Sequence, residues 1–285
     1  MIAILMSTYN GELYLREQID SILTQTNRDW RLYIRDDGSR DSTLEIIHEY
    51  TQFYPDKIFL EKDDLGNLGP GSSFMRLLEV VEDEYYMFCD QDDVWLPTKI
   101  EKTFFKLRYI EDKYGKDKGI GVFTDLTVVD AQLNVIMPSM WKGDDRHPEY
   151  IRNFYKQWTN RHATYGCTQM FNRAVKNLVL PYKQFEGVMG GHDNWVEYIL
   201  IKKGHYDYLS EQTILYRQHG LNVCGAYLGH SKRSRSINLL KRPSRSIGLI
   251  LLDYRNAKRL PFSVSYTKVF VYRIVQLFMA LTNKE

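Results

Sequence analysis

The chain has 285 residues, of which 44% are hydrophobic and 26% are charged, and its formal net charge is +2. This composition is that of a folded globular protein and excludes a disordered or fibrous chain. Three cysteines, at positions 89, 167 and 224, form no Cys-x-x-Cys pair. Their scatter argues against a disulfide framework and a structural zinc site, and it fits a reducing compartment.

The charge is unevenly distributed along the chain. Residues 226–285 hold 12 Lys and Arg against 2 Asp and Glu, whereas residues 1–225 hold 26 against 34. We therefore divide the chain into a body, 1–225, and a basic C-terminal region, 226–285. The apolar stretch at the N-terminus is too short for a signal peptide, and no uninterrupted apolar run reaches about 18 residues. These features predict a cytoplasmic protein whose basic region can contact an anionic surface.

Short apolar strands alternate with amphipathic helices in the first part of the chain. Strands are predicted at 2–6, 30–35, 58–61 and 85–89, and helices at 12–23, 42–50 and 72–81. Continuous apolar strands in this order are typical of a parallel sheet covered on both faces. Polar segments follow all four strands, at 7–10, 36–39, 63–69 and 90–93. Because the carboxyl ends of parallel strands share one edge, we expect these segments to converge on one ligand-binding rim.

The later elements are less regular. Helices are predicted at 97–114, 173–180 and 193–202, and strands at 120–129, 132–137 and 168–171. The stretch 141–165 is rich in aromatic and polar residues and has no clear period. Residues 262–281 are apolar and aromatic, with a mostly helical pattern.

Three carboxylates lie within four residues, Asp90-Gln91-Asp92-Asp93, just after the fourth predicted strand. Like charges this close repel one another unless a cation neutralises them. Carboxylate oxygens suit Mg²⁺ or Mn²⁺, which also contact substrate phosphates. The alternative is a solvated acidic turn or the cap of the next helix. The position on the rim and the buried strand before it favour a metal site.

Two further segments have the properties of a nucleotide site. Asp36-Asp37-Gly38-Ser39 ends the second strand, where an acidic residue in nucleotide-binding α/β folds contacts a ribose or base, although a capped turn is the alternative. Gly66-Asn67-Leu68-Gly69 has glycines that permit close backbone approach to a ligand, or it is an ordinary connection. A Walker A motif and a G-x-G-x-x-G motif are both missing, which disfavours a P-loop NTPase and a dinucleotide-binding dehydrogenase.

The second half of the body supplies a carboxylate, a cation and an imidazole. Asp193 follows Gly190-Gly191-His192 at a predicted helix start, where it is either a helix cap or a general base for an acceptor hydroxyl. Arg217-Gln218-His219 could contact a diphosphate or complete a metal shell, although a lone histidine is more often structural. Cys167 has no evident base beside it and is predicted to be a core residue, and Ser-His-Asp hydrolysis lacks its G-x-S-x-G elbow.

These motifs, in this order, resemble those of family-2 glycosyltransferases of the GT-A fold. They span about residues 2–225 and are Ser7-Thr8-Tyr9-Asn10, DDGS at 36–39, Asn67-x-Gly69, DQDD at 90–93, Gly166-x-x-x-Met170-Phe171-Asn172, HDxW at 192–195, and RQH at 217–219 with Asn222. The DQDDxW and HDxW…RQHxxN variants are similar to rhamnosyltransferase-like bacterial members that assemble polysaccharides. Two positions depart from the family pattern. Ser73-Phe74 stands where relatives often carry Asn-Phe, and His192 stands where Glu more usually precedes the catalytic Asp.

The resemblance implies an α/β GT-A nucleotide-binding fold with a mainly parallel central sheet, followed by a basic, mostly helical C-terminal extension. It implies the following site residues: Thr8, Tyr9 and Glu12 around the nucleotide, Asp37 on the base, Asn67 in the donor loop, Asp90 at the ribose or metal, Asp92 as ligand of the Mn²⁺ or Mg²⁺ that holds the diphosphate, Arg217 and His219 near the diphosphate with His219 also a metal ligand, and Asp193 as the base.

The implied reaction is inverting transfer of a sugar, with rhamnose as one candidate, from a dTDP- or UDP-sugar to a hydroxyl of a glycan or polyprenyl-linked acceptor. A nucleotidyltransferase and a catalytically inactive transferase-like partner of an assembly complex are the alternatives. Nucleic-acid binding is disfavoured because the acidic body lacks a recognised module.

The basic C-terminal region has two interpretations. A run of basic residues beside the apolar segment 247–252 resembles a membrane-surface element, which would hold the protein at the inner face of the cell membrane. These basic residues are Lys232, Arg233, Arg235, Lys241, Arg242 and Arg245. The alternative is that 262–281 packs on the body or on another subunit of a homo-oligomer.

Overall fold

The computed structural model describes residues 1–160, 162–181, 191–220, 222 and 243–282. A nine-stranded sheet lies at the centre, in the order β3-β2-β1-β4-β8-β6-β9-β5, with β7 paired to β6. The strands are β1 Ile2–Thr8, β2 Trp30–Asp36, β3 Ile58–Leu60, β4 Tyr85–Cys89, β5 Val94–Trp95, β6 Ile120–Val129, β7 Val135–Met137, β8 Gln169–Asn172 and β9 His205–Arg217. The helices are α1 Leu15–Leu23, α2 Thr43–Phe53, α3 Pro70–Val80, α4 Lys99–Tyr114, α5 Met140–Gly143, α6 Phe154–Thr159, α7 Arg173–Val179, α8 His192–Lys203, α9 Pro243–Ala257 and α10 Tyr266–Thr282.

Strands β1 to β4 form a parallel sheet, as the sequence predicts. β1 pairs in parallel with β2 and β4, and β2 pairs in parallel with β3. Residues 2–6 of β1 are fully buried because helices cover both faces of a parallel sheet. On α1, Leu15, Ile19 and Ile22 form the buried stripe that packs on this core.

The second half of the sheet is mixed rather than parallel. β8 lies antiparallel between β4 and β6, β9 runs parallel to β6, and β5 pairs antiparallel with β9. β9 was not predicted, because its polar residues interrupt the apolar pattern and its register with β6 shifts twice near Asp125. In the aperiodic stretch 141–165, the regular elements among the residues that the structure describes are short helical turns, which include most of α5 and all of α6. The body is therefore an α/β unit with a parallel half and a mixed half.

The two C-terminal helices pack against α6. Trp158 Nε1 on α6 donates to Asp253 Oδ1 on α9 at 3.1 Å, and Arg273 on α10 pairs with the other Asp253 oxygen at 2.8 Å. Arg273 Nη1 also donates to the Thr159 carbonyl at 2.7 Å. None of the helices in the described part of the chain is both long and apolar enough to cross a membrane.

Most of the basic residues singled out in the C-terminal region cannot be placed. Lys232, Arg233, Arg235, Lys241 and Arg242 lie outside the described residues. Only the backbone of Arg245, in α9, is described.

Candidate active site

The ends of three neighbouring strands are tied together at one rim. Thr8 Oγ1, at the end of β1, donates to Asp36 Oδ1 at the end of β2 over 2.9 Å. The Tyr9 backbone N–H donates to Gln91 Oε1 at 2.8 Å, and Gln91 Nε2 donates back to the Tyr9 carbonyl at 3.0 Å. The amide of Gln91 thus joins the DQDD segment to the end of β1. The predicted convergence of these polar segments is confirmed.

Asp37 holds the loop that contains Asn67. The Asp37 carboxylate is buried and accepts from the backbone N–H groups of Leu68 at 2.7 Å and Gly69 at 2.8 Å. Asn67 Nδ2 donates to the Asp37 carbonyl at 2.8 Å. Gly69 has φ of 76°, a left-handed conformation that favours glycine. In this structure Asp37 and Asn67 therefore close the loop over the rim, and their contacts with a nucleotide stay predictions.

A buried guanidinium under this loop explains why serine occupies position 73. Arg35 donates to Asp37 Oδ1 at 2.5 Å and to both Asp63 oxygens at 2.9 and 3.0 Å. The Arg35 guanidinium holds the pKa of Asp63 below its usual value. The Ser73 hydroxyl accepts from Arg35 at 3.0 Å and from Ser7 Oγ at 2.7 Å. Ser73 is thus a buried structural partner rather than a side chain at the open rim.

Tyr9 and Glu12 lie at the solvent-exposed edge of this rim. Tyr9 is 48% exposed, so its ring is accessible to a ligand. Glu12 is exposed, and its Oε2 accepts from the Ser42 backbone N–H at 2.9 Å at the start of α2. Their contacts with a nucleotide stay predictions, and each residue already makes contacts within the protein.

Asp92 and His219 meet across the sheet. His219 Nε2 lies 2.8 Å from Asp92 Oδ2, and Asn222 Nδ2 donates to the same oxygen at 3.3 Å. Tyr14 covers the imidazole, with ring centroids 4.8 Å apart. The other imidazole nitrogen, Nδ1, is buried and finds no partner among the residues described. The structure therefore brings together two of the three predicted metal ligands, which are 127 residues apart in sequence.

Asp90 belongs to an adjoining acidic cluster with Asp93 and Cys167. Their ligand atoms lie within 4.8 Å of one another. Burial, followed by the charge of Asp92, raises the pKa of Asp90 to about 7 and that of Asp93 well above its ordinary value. Asp93 accepts from the Arg217 backbone N–H at 3.1 Å. Cys167 is fully buried, which confirms it as a core residue, and this burial raises the pKa of its thiol.

The residues of the two clusters fit a divalent cation. Carboxylate oxygens together with an imidazole nitrogen form a donor set that suits Mn²⁺, and oxygens alone suit Mg²⁺. Burial and then the charge of Asp92 raise the pKa of Asp90 and of Asp93, and a nearby cation would relieve the repulsion among these carboxylates. Asp93 Oδ2 is also buried without a partner within the described ranges. The sequence pattern counted Asp93 among the three carboxylates of the predicted metal site, but the family resemblance assigned it no role of its own.

Arg217 contacts the protein itself rather than an open cavity. It is 2% exposed, and its Nε donates to the Asp92 carbonyl at 2.8 Å while Nη1 donates to the Ala131 carbonyl at 2.7 Å. Nη2 pairs with Glu17, and the guanidinium lies 4.5 Å from the Tyr14 ring centroid. The predicted contact of Arg217 with a diphosphate finds no support in this geometry. Instead, Arg217 fixes the backbone that carries Asp92 and the segment that carries His219.

A buried lysine under the acidic cluster was not found from the sequence. Lys99 is fully buried, its ammonium lies 4.8 Å from the Trp95 ring centroid, and burial lowers its pKa to about 8. The charges of Cys167, Cys89 and Asp93 act in the opposite direction. A lysine at the start of a helix normally indicates a solvated face, so no local pattern distinguishes this one.

Asp193 is the second residue of α8 and faces the acidic cluster. Its charge contributes to the raised pKa of Asp90. Asp193 Oδ1 accepts from the Asn194 backbone N–H at 2.8 Å, and within the described part of the chain no donor contacts Oδ2. Gln169 Nε2 on β8 donates to the Asp193 carbonyl at 3.1 Å, which ties the start of α8 to the sheet. The carboxylate is therefore held in place with one oxygen available.

His192 is a neutral packing residue next to Asp193. Its ring stacks on Phe74 at 4.3 Å and meets the edge of Phe88 at 4.5 Å. Burial lowers the pKa of His192 to about 4. A Cβ on Gly166 would lie 2.8 Å from His192 Nε2, so glycine is needed for this close approach. The HDxW motif at 192–195 and the Gly166 motif thus meet at one contact.

Comparison with known proteins agrees with this arrangement. A sequence model of the family "Glycosyl transferase family 2" matches residues 3–179. The dTDP-rhamnosyl transferase RfbG of Shigella flexneri is 27% identical over 243 residues, which are 83% of this chain and 79% of that protein. Among solved structures, S. aureus TarS 1-349 in complex with UDP covers 99% of this chain and 72% of its own, with a TM-score of 0.59 at 16% identity. The mannosyltransferase PcManGT from Pyrobaculum calidifontis, in complex with GDP-Man and Mn²⁺, covers 98% of this chain and 70% of its own, with a TM-score of 0.57 at 15% identity. The fold is therefore the predicted GT-A fold, and the chain belongs to glycosyltransferase family 2.

Proposed function

We propose that this glycosyltransferase is a metal-dependent, inverting enzyme that moves a sugar from a nucleoside-diphosphate sugar to a hydroxyl of a glycan or polyprenyl-linked acceptor. The observation that carries the proposal is the meeting of the Asp92–His219 pair, Asp90 and Asp193 at one rim. The name of RfbG, a dTDP-rhamnosyl transferase, supports dTDP-rhamnose as the first donor to test. The complex of TarS with UDP supports UDP-sugars as the second class of donor to test.

The nucleotide would lie on the part of the rim formed by β1 and the loop above it. Thr8 and the loop held by Asp37 and Asn67 form one side of this site. The exposed ring of Tyr9 offers an aromatic surface, and Glu12 stands at its edge. The match to the glycosyltransferase family disfavours the alternative that this site belongs to a nucleotidyltransferase.

Asp92, with Asp90 and His219, would hold the Mn²⁺ or Mg²⁺. The Mn²⁺ in the PcManGT complex supports a divalent cation in this fold. When bound, the cation would offset the negative charge that develops on the departing diphosphate. Arg217 contributes indirectly, because its hydrogen bond to the Asp92 carbonyl keeps that carboxylate facing His219.

Asp193 would act as the general base. Its carboxylate takes the proton of the acceptor hydroxyl as the hydroxyl oxygen forms a bond to the anomeric carbon. The bond from that carbon to the diphosphate oxygen breaks at the same time, and the nucleoside diphosphate leaves with the electron pair. Because the hydroxyl attacks from the side opposite the leaving group, the configuration at the anomeric carbon is inverted. A polyprenyl-linked acceptor would place this step at the cytoplasmic face of the cell membrane, with the protein bound peripherally.

A donor screen tests the proposal. The protein is incubated with dTDP-rhamnose and with UDP- and GDP-sugars, with Mn²⁺, Mg²⁺ or EDTA, and the release of nucleoside diphosphate is measured with and without a lipid-linked acceptor. We expect release from one donor that requires the cation and is lost in Asp92→Ala. Asp112→Ala is the matched control, since Asp112 is a largely exposed carboxylate on α4. If no donor is bound or consumed with acceptor present, the chain is instead an inactive transferase-like partner.

A further inference from the structure

The two C-terminal helices present an apolar face on the side turned away from α6, which we call the outer face. Its members are between 41% and 52% exposed and are Leu251, Tyr254, Phe270, Val271, Ile274 and Val275. Those on α10 recur at helical spacing and form one stripe. A groove of 510 Å³ between the helices, lined by Leu251 and Phe270 among others, joins the two contributions. A contiguous exposed apolar patch of this kind marks an interaction site.

The opposite side of the helix pair is fixed to the body. The outer face therefore has a fixed orientation relative to the body. Asp253 and Arg273 form a buried ion pair with two contacts, at 2.8 and 3.0 Å. Trp158 Nε1 donates to the same carboxylate at 3.1 Å. The Trp158 ring also packs on Tyr198 of α8 with centroids 5.0 Å apart. The outer face is thus coupled through α6 to α8, the helix whose second residue is Asp193.

The charges around the outer face identify its partner. Residues 243–282 contain six Lys and Arg but a single acidic residue, Asp253, whose charge is already paired with Arg273. The other cations with described side chains are exposed, namely Arg255, Lys258, Arg259 and Lys268. A second copy docked through a two-fold axis on this face would bring these like charges together. Anionic lipid headgroups would instead be attracted to them.

We propose that the outer face of α9 and α10 inserts into the interfacial layer of an anionic lipid bilayer. An interfacial helix lies in the plane of the membrane, with its apolar side chains among the upper acyl chains and its cations at the headgroups. This inference gives the peripheral attachment in the proposed function a specific surface. It rests on that function only for its purpose, which is to bring Asp193 to a lipid-linked acceptor.

Vesicle co-sedimentation of the full chain tests the inference. We expect binding to phosphatidylcholine vesicles that contain phosphatidylglycerol and much weaker binding to pure phosphatidylcholine. Because each side chain removed is a large apolar group, Phe270→Ser with Ile274→Ser should weaken binding by about tenfold or more. The control pair, Phe105→Ser with Tyr109→Ser, removes two exposed aromatic residues of α4 and should leave binding unchanged. Thermal unfolding of both variants verifies that they are folded.

A second variant tests the role of the cations. Lys258→Gln with Lys268→Gln should weaken binding to the anionic vesicles and reduce its dependence on salt. The inference is overturned if the wild-type chain ignores anionic vesicles, or if the Phe270 and Ile274 variant binds them as the wild type does. It is also overturned if the chain forms a dimer that this variant dissociates, since a second copy would then occupy the face.

Failure of this inference can be told apart from failure of the proposed function. Donor turnover with a water-soluble acceptor does not require a membrane, so the Phe270 and Ile274 variant should keep the wild-type rate in that assay. An active enzyme that does not bind vesicles contradicts the membrane inference alone. A vesicle-binding protein without donor turnover contradicts the transferase proposal alone.

Discussion

Replacing Asp193 by Asn separates the chemical role of this residue from its structural role. Asp193 Oδ1 accepts a hydrogen bond from the Asn194 backbone N–H at 2.8 Å, and an asparagine oxygen can accept the same bond. The substitution keeps the size of the side chain and replaces the free carboxylate oxygen by an NH₂ group. An amide cannot take the proton of an acceptor hydroxyl, so only the general base is removed.

The expected effects on rate and on stability differ in size. Loss of a positioned general base lowers kcat by about 10²- to 10⁴-fold, which corresponds to about 3–5 kcal/mol in the activation barrier. Removing a negative charge from the first turn of α8 costs about 0.3–1 kcal/mol of stability. The repulsion between Asp193 and Asp90 is lost at the same time, which offsets part of that cost. The free energy of unfolding should therefore change by less than about 1 kcal/mol.

The assay measures kcat, the donor KM and the free energy of unfolding for Asp193→Asn and for the control Asp112→Asn on α4. We expect a large loss of kcat, an almost unchanged donor KM and normal unfolding for Asp193→Asn, and no change for the control. A kcat within about tenfold of the wild type would refute the assignment of the base. A loss of more than about 3 kcal/mol in stability would show instead that the residue is mainly structural.

Three further substitutions probe Arg217 and His192 beside the site and Asp253 in the C-terminal helices. Arg217→Lys should lose the hydrogen bonds to two buried main-chain carbonyls, so the free energy of unfolding in urea should fall by about 2–4 kcal/mol. The affinity for Mn²⁺, measured by calorimetry, should fall as well. An unchanged metal affinity would contradict a positioning role. The pKa of His192 lies near 4 instead of 6.5, so the unfolded state binds its proton first and stability should fall by up to about 3 kcal/mol as the pH drops from 6.5 to 4. His192→Phe should abolish that fall, and identical pH profiles would refute the buried neutral histidine. Asp253→Ala should leave the buried Arg273 unpaired and lower the free energy of unfolding by about 3–5 kcal/mol. The C-terminal helices should then be cleaved faster by a protease. A cleavage rate equal to that of the exposed control Arg255→Ala would count against the ion pair.

The rim could be predicted because its determinants are local. The apolar runs of β1, β2 and β4 define strands, and the polar segments that follow them must lie where parallel strands end. The contacts of Thr8 with Asp36 and of Tyr9 with Gln91 are consequences of that geometry. The family resemblance adds chemical roles to the same positions.

The mixed half of the sheet could not be predicted because its determinants are distant in sequence. β9 is stabilised by pairing with β6 and β5, and its own polar residues do not give a strand pattern. Arg217, at its end, contacts residues 17, 92 and 131, so no local pattern shows that its guanidinium is occupied. The burial of Lys99 depends on the same packing.

The residue that follows Ser73, which is one departure from the family pattern, contacts His192, which is the other. Phe74, beside Ser73, stacks on His192, so α3 on the donor side packs directly on the start of α8 on the acceptor side. A glutamate at position 192 would place a charged carboxylate between the rings of Phe74 and Phe88, and burying an unpaired charge there is costly. The neutral imidazole fills that space without such a cost, while Ser73 satisfies Arg35 beneath the donor loop. These contacts therefore keep α3 packed against the start of α8, the helix that carries Asp193. In the proposed reaction, this packing would set the distance between the donor site and the base.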